Sequence, residues 1–264
     1  MDQQTTVSIE LNSTKIKIKD VDINYVKIGN GPQKLLIFQG ALGQISDFQL
    51  LTKNLDPNKY TIYLWDPPGY GLSRPPVRDF SPGFLNRDAD YAIALMEALG
   101  VDKYSMLGWC NGGSTAIIAA SKVADRVDKL VVWSCGAYVT GKGLAALESS
   151  RDVHKWPNSR RIPRFKMYGE KYLSDKWSEL LDAFQAILHD DGGDVCIGAL
   201  AQIKAPTLIL HGTWDEIVPI DHAVFLHKNI KNSTLEIFPD GEHGIHMTFP
   251  EKFNSLVNNF LTIK

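Results

Sequence analysis

The pattern of apolar and polar positions divides the chain into two parts. Between Thr5 and Val26, apolar and β-branched residues alternate with polar ones without a helical period, which predicts hairpin-like antiparallel strands. After this stretch, short continuous apolar runs are in most cases separated by amphipathic stretches with helical periodicity. The runs cover residues 35–38, 60–65, 104–107, 130–133, 207–210 and 234–238, and the clearest helical stretches cover 88–99, 113–121, 221–228 and 250–261.

This alternation predicts the fold class and the domain organisation. Continuous apolar strands that alternate with helices indicate an α/β protein, with a mostly parallel sheet covered by helices on both faces. The alternation stops between residues 138 and 205, where helical patterns rich in Lys, Arg, Trp and Tyr appear without a buried strand. We interpret 138–205 as a helical lid insertion, and 1–137 with 206–264 as the core. A solvated linker is the alternative, but the aromatic content of the segment argues against disorder.

Composition and charge exclude several functional classes. The 264 residues are 44% apolar and 22% charged, and 28 Lys and Arg against 30 Asp and Glu leave a formal net charge of -2. This balance gives no electrostatic reason to expect nucleic acid or an anionic membrane as a partner. No apolar run approaches the ~20 residues of a membrane helix, and the first residues lack signal-peptide and transit-peptide patterns. We therefore expect a cytoplasmic monomer that acts on a small molecule.

Cofactor and metal motifs are also missing from the sequence. There is no phosphate-binding Gly-x-x-x-x-Gly-Lys motif, and no dinucleotide fingerprint follows the first buried strand. His243 and His246 have the spacing of a metal-ligand pair, but no third ligand follows at a suitable distance. The three cysteines, which form no Cys-x-x-Cys pair, are expected to be free thiols. We expect neither a cofactor nor a metal; the cysteines are Cys110, Cys135 and Cys196.

The segment from Gly108 to Gly112 is the most informative motif, because it fits the pattern Gly-x-nucleophile-x-Gly with Cys110 at its centre. An apolar strand precedes the motif and a helical pattern follows it. Glycines on either side of the nucleophile allow the sharp turn that holds its side chain at the N-terminus of the helix. Backbone N–H groups and the helix dipole favour negative charge at that position, and therefore favour a thiolate. The alternative for an isolated motif of this length is a buried cysteine in a glycine-rich turn.

Two further residues complete a candidate catalytic triad. Asp215 follows the strand at 207–210, where a carboxylate could orient a histidine. His243 follows the strand at 234–238, and we assign it as the base because it comes first after the glycine-containing turn, whereas His246 is expected to pack against the loop. The order nucleophile, acid, histidine, each member after a different strand, is the order this fold uses. A surface aspartate and a loop histidine are the alternatives.

An oxyanion hole is expected close to the nucleophile. The segment that follows the strand at 35–38 contains the glycines needed for backbone N–H groups to face the site. We assign Ala41 or Leu42 as one donor and Asn111 as the other, since the residue after the nucleophile points its N–H into the pocket.

These motifs resemble the α/β-hydrolase superfamily and, more closely, its biphenyl hydrolase-like (valacyclovir hydrolase) family. The resemblance extends over nearly the whole chain and includes positions in the predicted lid. It implies a nucleophile, acid and base at Cys110, Asp215 and His243, and the hydrolysis of small carboxylic esters, with a preference for amino-acid esters. The motifs that carry it are Trp65-Asp-Pro-x-Gly-Tyr-Gly-x-Ser-Arg-Pro-Pro, Leu107-Gly-Trp-x-x-Gly-Gly, Ala137-Tyr-Val-Thr, Arg151-Asp-Val-x-Lys-Trp, His211-Gly-x-x-Asp-x-x-Val-Pro and His243-x-x-His-x-x-Phe.

Two adjacent positions depart from the family pattern. The family nucleophile is serine where this chain has Cys110, and the next family residue is an aspartate, which would pair with a substrate ammonium, where this chain has Asn111. We therefore expect an acyl-cysteine intermediate on small esters, thioesters or lactones, and do not carry over the amino-acid preference.

Several alternatives remain open at this stage. A cysteine in this turn also resembles the dienelactone hydrolases and polyester synthases, which leaves a lactonase, thioesterase or acyltransferase open. A non-catalytic ligand-binding protein is a further alternative, although such a protein needs neither Asp215 nor His243. An engineered Ser-to-Cys change is another, and the adjacent Asn111 argues against a single engineered change.

Overall fold

A single sheet of eight strands organises the computed structural model, which describes residues 12–263. The strand order is β1-β2-β4-β3-β5-β6-β7-β8; β1 and β2, and β2 and β4, pair antiparallel, and the remaining neighbours pair parallel. The predicted N-terminal hairpin corresponds to β1 and β2, except for residues 5–11, which lie outside the described residues. The strands are β1 Ser13–Ile18, β2 Val21–Ile28, β3 Gln33–Phe38, β4 Tyr60–Trp65, β5 Tyr104–Trp109, β6 Val127–Trp133, β7 Thr207–Gly212 and β8 Ser233–Phe238.

Helices cover both faces of this sheet, and alternate residues of each strand enter two separate apolar clusters. In β3, Leu36 and Phe38 join the cluster formed with the helices Phe84–Ala98 and Asn111–Lys122, whereas Leu35 and Ile37 join the cluster formed with the helix Pro250–Thr262. The predicted α/β class, with a mostly parallel sheet between two helical layers, is therefore confirmed. The helices are α1 Gln49–Thr52, α2 Phe84–Ala98, α3 Asn111–Lys122, α4 Gly141–Glu148, α5 Asn158–Tyr168, α6 Glu170–Asp190, α7 Ile197–Leu200, α8 Asp221–Asn229, α9 Ile245–Thr248 and α10 Pro250–Thr262.

The helix predicted at residues 88–99 begins earlier in the structure. Gly83, with a φ of 78°, turns the chain directly before α2, and the first turn of α2 then buries Phe84. The sequence predicts a later start because the polar residues Asn86 and Arg87 interrupt the pattern of apolar residues in that first turn. None of the described helices is both long and apolar enough to cross a bilayer.

Helices α4 to α7 all lie in the segment between β6 and β7, where the strand alternation stops. The longest of them, α6, buries Trp177, Leu181 and Phe184 along one side. Tyr168 of α5 ties this segment to the sheet, because its hydroxyl donates to the Gly43 carbonyl oxygen at 2.6 Å. The segment therefore packs over the carboxyl ends of the strands rather than extending into solvent.

Candidate active site

The turn from β5 into α3 holds Cys110 at the carboxyl edge of the sheet. The residue has φ 55° and ψ -128°, a conformation that non-glycine residues rarely adopt. The glycines around it are needed for close packing: a Cβ on Gly108 would lie 2.5 Å from the Gly112 carbonyl oxygen, and one on Gly112 would lie 2.4 Å from the Gln39 carbonyl oxygen. The strained turn therefore depends on the glycine spacing seen in the sequence.

Asp215 and His243 come together from the loops that follow β7 and β8. The Nδ1 atom of His243 lies 2.9 Å and 3.1 Å from the two carboxylate oxygens of Asp215. The backbone N–H groups of Ile217 and Val218 also donate to Asp215, at 3.1 Å and 2.9 Å. Burial alone would raise the pKa of the Asp215 carboxyl, but its attraction to His243 and these hydrogen bonds lower it. Asp215 is therefore an ionised, fixed partner for one ring nitrogen of His243.

The other side of His243 faces the Cys110 thiol, and the two groups shift each other's ionisation. Burial would raise the pKa of Cys110, but the positive charge of His243, a hydrogen bond from it, and backbone N–H groups of Asn111 and Ala41 lower it. Burial would lower the pKa of His243, but the negative charges of Cys110 and Asp215 raise it to about 10. The arrangement therefore favours a thiolate–imidazolium ion pair supported by a carboxylate.

The residues assigned to the oxyanion hole occupy different environments. The backbone N–H groups of Ala41 and Asn111 both lower the pKa of the Cys110 thiol. The side chain of Leu42 is fully buried, and its backbone has a φ of 42°. The choice between Ala41 and Leu42 as the first donor stays a prediction.

His246 lies behind the site rather than in it. Its Nδ1 atom accepts a hydrogen bond from the Trp133 indole N–H at 3.0 Å, and its ring stacks on Phe48. Burial among these rings and the charge of His243 lower its pKa to about 3, so it is neutral. The structure thus gives His246 a packing environment next to Trp109, whose indole N–H donates to the His243 carbonyl oxygen.

Two more histidines, which sequence reasoning missed, border the site. His211 is the second-to-last residue of β7, and its Nε2–H donates to the Val218 carbonyl oxygen at 2.7 Å. His222 of α8 packs against Tyr138 with ring centres 4.3 Å apart. Burial lowers the pKa of both imidazoles. His211 could have been found from its position at the end of a predicted strand, whereas nothing local in the sequence distinguishes His222.

A cavity of about 480 Å³ opens above Cys110 and His243, between the sheet edge and helices α4 to α6. Its walls are mostly apolar, but the charged side chains of Asp47, Arg160, Arg164 and Glu242 also line it. Arg164 of α5 pairs with Asp47 at 2.8 Å, and both side chains are largely buried. Arg160 lines the same cavity one turn earlier in α5. The apolar and aromatic lining includes Trp109, Tyr138, Val139, Leu147, Trp177, Leu180, Leu181, Phe184, Val195, Ile217, Val218 and Met247.

Metal binding has no support in the arrangement of side chains. Among residues 12–263, no group of three or more His, Cys, Asp or Glu side chains is placed to hold a metal ion. The three cysteines are free thiols, with Cys135 and Cys196 buried and Cys110 partly exposed.

Comparison with known proteins agrees with this architecture. A family model described as the alpha/beta hydrolase fold matches residues 34–137 and 148–250. The chain is 40% identical to serine hydrolase BPHL of Homo sapiens over 95% of the chain and 87% of that protein. It is 38% identical to serine hydrolase BPHL of Mus musculus over 97% of the chain and 88% of that protein.

A solved structure shows the same fold at low sequence identity. This structure is the 2-hydroxy-6-oxo-6-phenylhexa-2,4-dienoate hydrolase of Rhodococcus sp. strain RHA1, which superposes with a TM-score of 0.82 at 14% sequence identity. The superposition covers 97% of this chain and 100% of that one. At that identity the likeness supports the fold alone. The family match and the two BPHL relatives go further, and the chain belongs to the α/β-hydrolase family as a hydrolase closely related to serine hydrolase BPHL.

Proposed function

We propose that this protein cleaves small carboxylic esters, thioesters or lactones through an acyl-cysteine intermediate. Cys110 is the nucleophile, His243 the acid and base, and Asp215 the residue that orients His243. The observation that carries the proposal is the strained position of Cys110 at the helix N-terminus, next to a histidine whose other nitrogen contacts a buried carboxylate. A pocket that only bound a ligand would need none of these contacts.

In the first half of the reaction, the Cys110 thiolate attacks the carbonyl carbon of the ester. The carbonyl oxygen gains negative charge, and the N–H groups of Ala41 and Asn111, which also lower the pKa of the Cys110 thiol, stabilise it. Collapse of this intermediate breaks the bond to the leaving group, and His243 donates its proton to the departing oxygen or sulfur. The product of this half is an acyl thioester on Cys110.

In the second half, water replaces the leaving group. Neutral His243 accepts a proton from water as the water oxygen attacks the thioester carbonyl, and the Cys110–acyl bond then breaks. Asp215 supports the positive charge that forms on His243 at that step. A carboxylic acid is released and the thiolate–imidazolium pair is restored.

We further propose that the segment 138–205 acts as the lid of this site and limits the size of the substrate. Support comes from α4, α5 and α6, which supply much of the wall of the 480 Å³ cavity. The relatives are named serine hydrolases, whereas this chain has cysteine at the nucleophile and the neutral Asn111 beside it. Because a neutral amide cannot pair with an ammonium group, we do not expect a preference for amino-acid esters.

Intact-protein mass spectrometry with a panel of activated esters, acyl thioesters and lactones tests the proposal. We expect an acyl adduct that forms on the wild-type protein, disappears in water, and is absent from a Cys110→Ala variant. A Cys110→Ser variant tests whether the thiol itself matters. Alkylation of Cys110 with no loss of ester turnover would contradict the proposal. Adducts that persist until an amine or thiol is added would instead identify an acyltransferase.

A further inference from the structure

Arg160 is held rigidly in the wall of the catalytic cavity. Its guanidinium carbon lies 3.6 Å from the centre of the Trp156 ring and 4.8 Å from the centre of the Trp177 ring. Both indoles are nearly fully buried, and both indole N–H groups donate to Ser150, one to its carbonyl and one to its hydroxyl oxygen. Stacking on fixed aromatic rings orients the planar guanidinium and leaves its N–H groups free at the edge.

The charge of Arg160 has no partner among residues 12–263. The neighbouring Arg164 is paired with Asp47, but Arg160 forms no ion pair and its guanidinium donates no hydrogen bond. Besides Asp47, Glu242 is the one acidic residue that lines the cavity, and it is solvent-exposed and not paired with Arg160. Burial and the charge of Arg164 lower the pKa of Arg160 to about 10, so it remains a cation at neutral pH.

A half-buried cation without an ion-pair partner in a mostly apolar wall is costly, and an anion that enters the cavity would offset that cost. Arg160 also lies close enough to Cys110 for their charges to interact, so an anion on Arg160 would be near the reacting carbonyl. The position beside the nucleophile carries the neutral Asn111, which adds no negative charge to repel such an anion.

We propose that Arg160 binds an ionised carboxylate of the substrate, so that the preferred esters carry a free carboxylate in addition to the ester group that Cys110 attacks. The planar guanidinium can donate two parallel N–H···O bonds to a carboxylate, which fixes its distance from the nucleophile. This substrate class rests on the esterase function proposed above.

Matched ester pairs test the proposal on the full-length protein. In the first pair, the monobutyl ester of a dicarboxylic acid is compared with the butyl ester of the same acid in which the carboxylate is a carboxamide. In the second pair, a butyrate ester of a hydroxy acid is compared with its carboxamide analogue. The first pair places the carboxylate on the acyl side and the second on the alcohol side, and a series of chain lengths sets its distance. We expect a higher kcat/KM for the carboxylate member of at least one pair.

The variants are Arg160→Gln, Arg160→Lys and Arg161→Gln. Arg161 is the matched control, because it lies next to Arg160 but donates to His154 and Asn158 instead of lining the cavity. The readout is the ratio of kcat/KM for the carboxylate and carboxamide members, which cancels a general loss of activity. We expect this ratio to fall roughly ten- to hundredfold in Arg160→Gln. It should fall less in Arg160→Lys and stay unchanged in Arg161→Gln.

Two results would overturn the proposal: equal turnover of both members of both pairs by the wild type, or a ratio of kcat/KM that is unchanged in Arg160→Gln. An unchanged ratio with an equal loss for both members would mean that Arg160 supports the Cys110 thiolate rather than the substrate.

Binding separates this proposal from the esterase function. Isothermal titration calorimetry with Cys110→Ala measures carboxylate against carboxamide esters without chemistry. If the wild type hydrolyses no ester but Cys110→Ala binds the carboxylate member in an Arg160-dependent way, the esterase function fails and the carboxylate site stands. If neutral esters are hydrolysed but no carboxylate preference appears in binding or turnover, the esterase function stands and the carboxylate site fails.

Discussion

Replacing Asp215 with Asn removes the charge that supports the His243 imidazolium while it keeps the shape of the side chain. The amide oxygen of Asn can still accept from the backbone N–H groups of Ile217 and Val218, which now donate to the carboxylate at 3.1 Å and 2.9 Å. The charged contact to His243 Nδ1, at 2.9 Å and 3.1 Å to the two oxygens, is lost. The substitution therefore tests the electrostatic support of the ion pair with little change in geometry.

The size of the effect follows from that contact. A hydrogen bond to a charged group contributes about 1.5–3 kcal/mol, and the side chains of His243 and Asp215 are 16% and 0% exposed. The free energy of the thiolate–imidazolium pair of Cys110 and His243 should rise by that amount relative to the neutral pair. At 1.36 kcal/mol for each pH unit, the pH at which the thiolate forms should move up by about one to two units.

The rate of iodoacetamide alkylation as a function of pH measures this change. In the wild type, the lowered pKa of Cys110 gives a reactive thiolate below the pH range of an ordinary thiol, and the raised pKa of His243, about 10, keeps the imidazolium present there. In Asp215→Asn the midpoint should move up and the rate at neutral pH should fall. Cys110→Ala sets the baseline, since Cys135 and Cys196 are buried and their pKa values are raised. A profile for Asp215→Asn that superimposes on the wild type would refute the reasoning.

Three further substitutions test the structure around the site. Arg164→Met should lower the free energy of unfolding by about 3–5 kcal/mol in urea denaturation, because it leaves a buried carboxylate unpaired; an unchanged midpoint would contradict this. Gly112→Ala should cost about 1–3 kcal/mol or prevent folding, since its Cβ would lie 2.4 Å from a backbone oxygen, whereas Gly198→Ala, with open space around it, should be tolerated. His246→Leu should cost about 1–3 kcal/mol in thermal unfolding by leaving the Trp133 N–H without an acceptor, and should not move the alkylation midpoint.

The proximity of the three candidate triad residues could be predicted from the sequence, because each of them follows a strand. Parallel strands end at the same edge of a sheet, so the strand pattern alone predicts that Cys110, Asp215 and His243 meet there. The position of Arg160 in the cavity wall, stacked on Trp156 and Trp177, could not be predicted in this way. It depends on how segments distant in the chain pack over the strand ends, and the hydrophobic pattern of the sequence does not predict that packing.

Four histidines lie near the candidate site, and the directions of their pKa shifts distinguish His243 from the other three. Burial lowers the pKa of His211, His222 and His246, so none of them is charged at neutral pH. His243 is also buried, but it alone contacts both Cys110 and a carboxylate, and their negative charges outweigh the burial. A second imidazolium nearby would compete for those charges and repel the first. Because the neighbouring histidines are neutral, the titratable proton is concentrated on His243, whose ring faces Cys110.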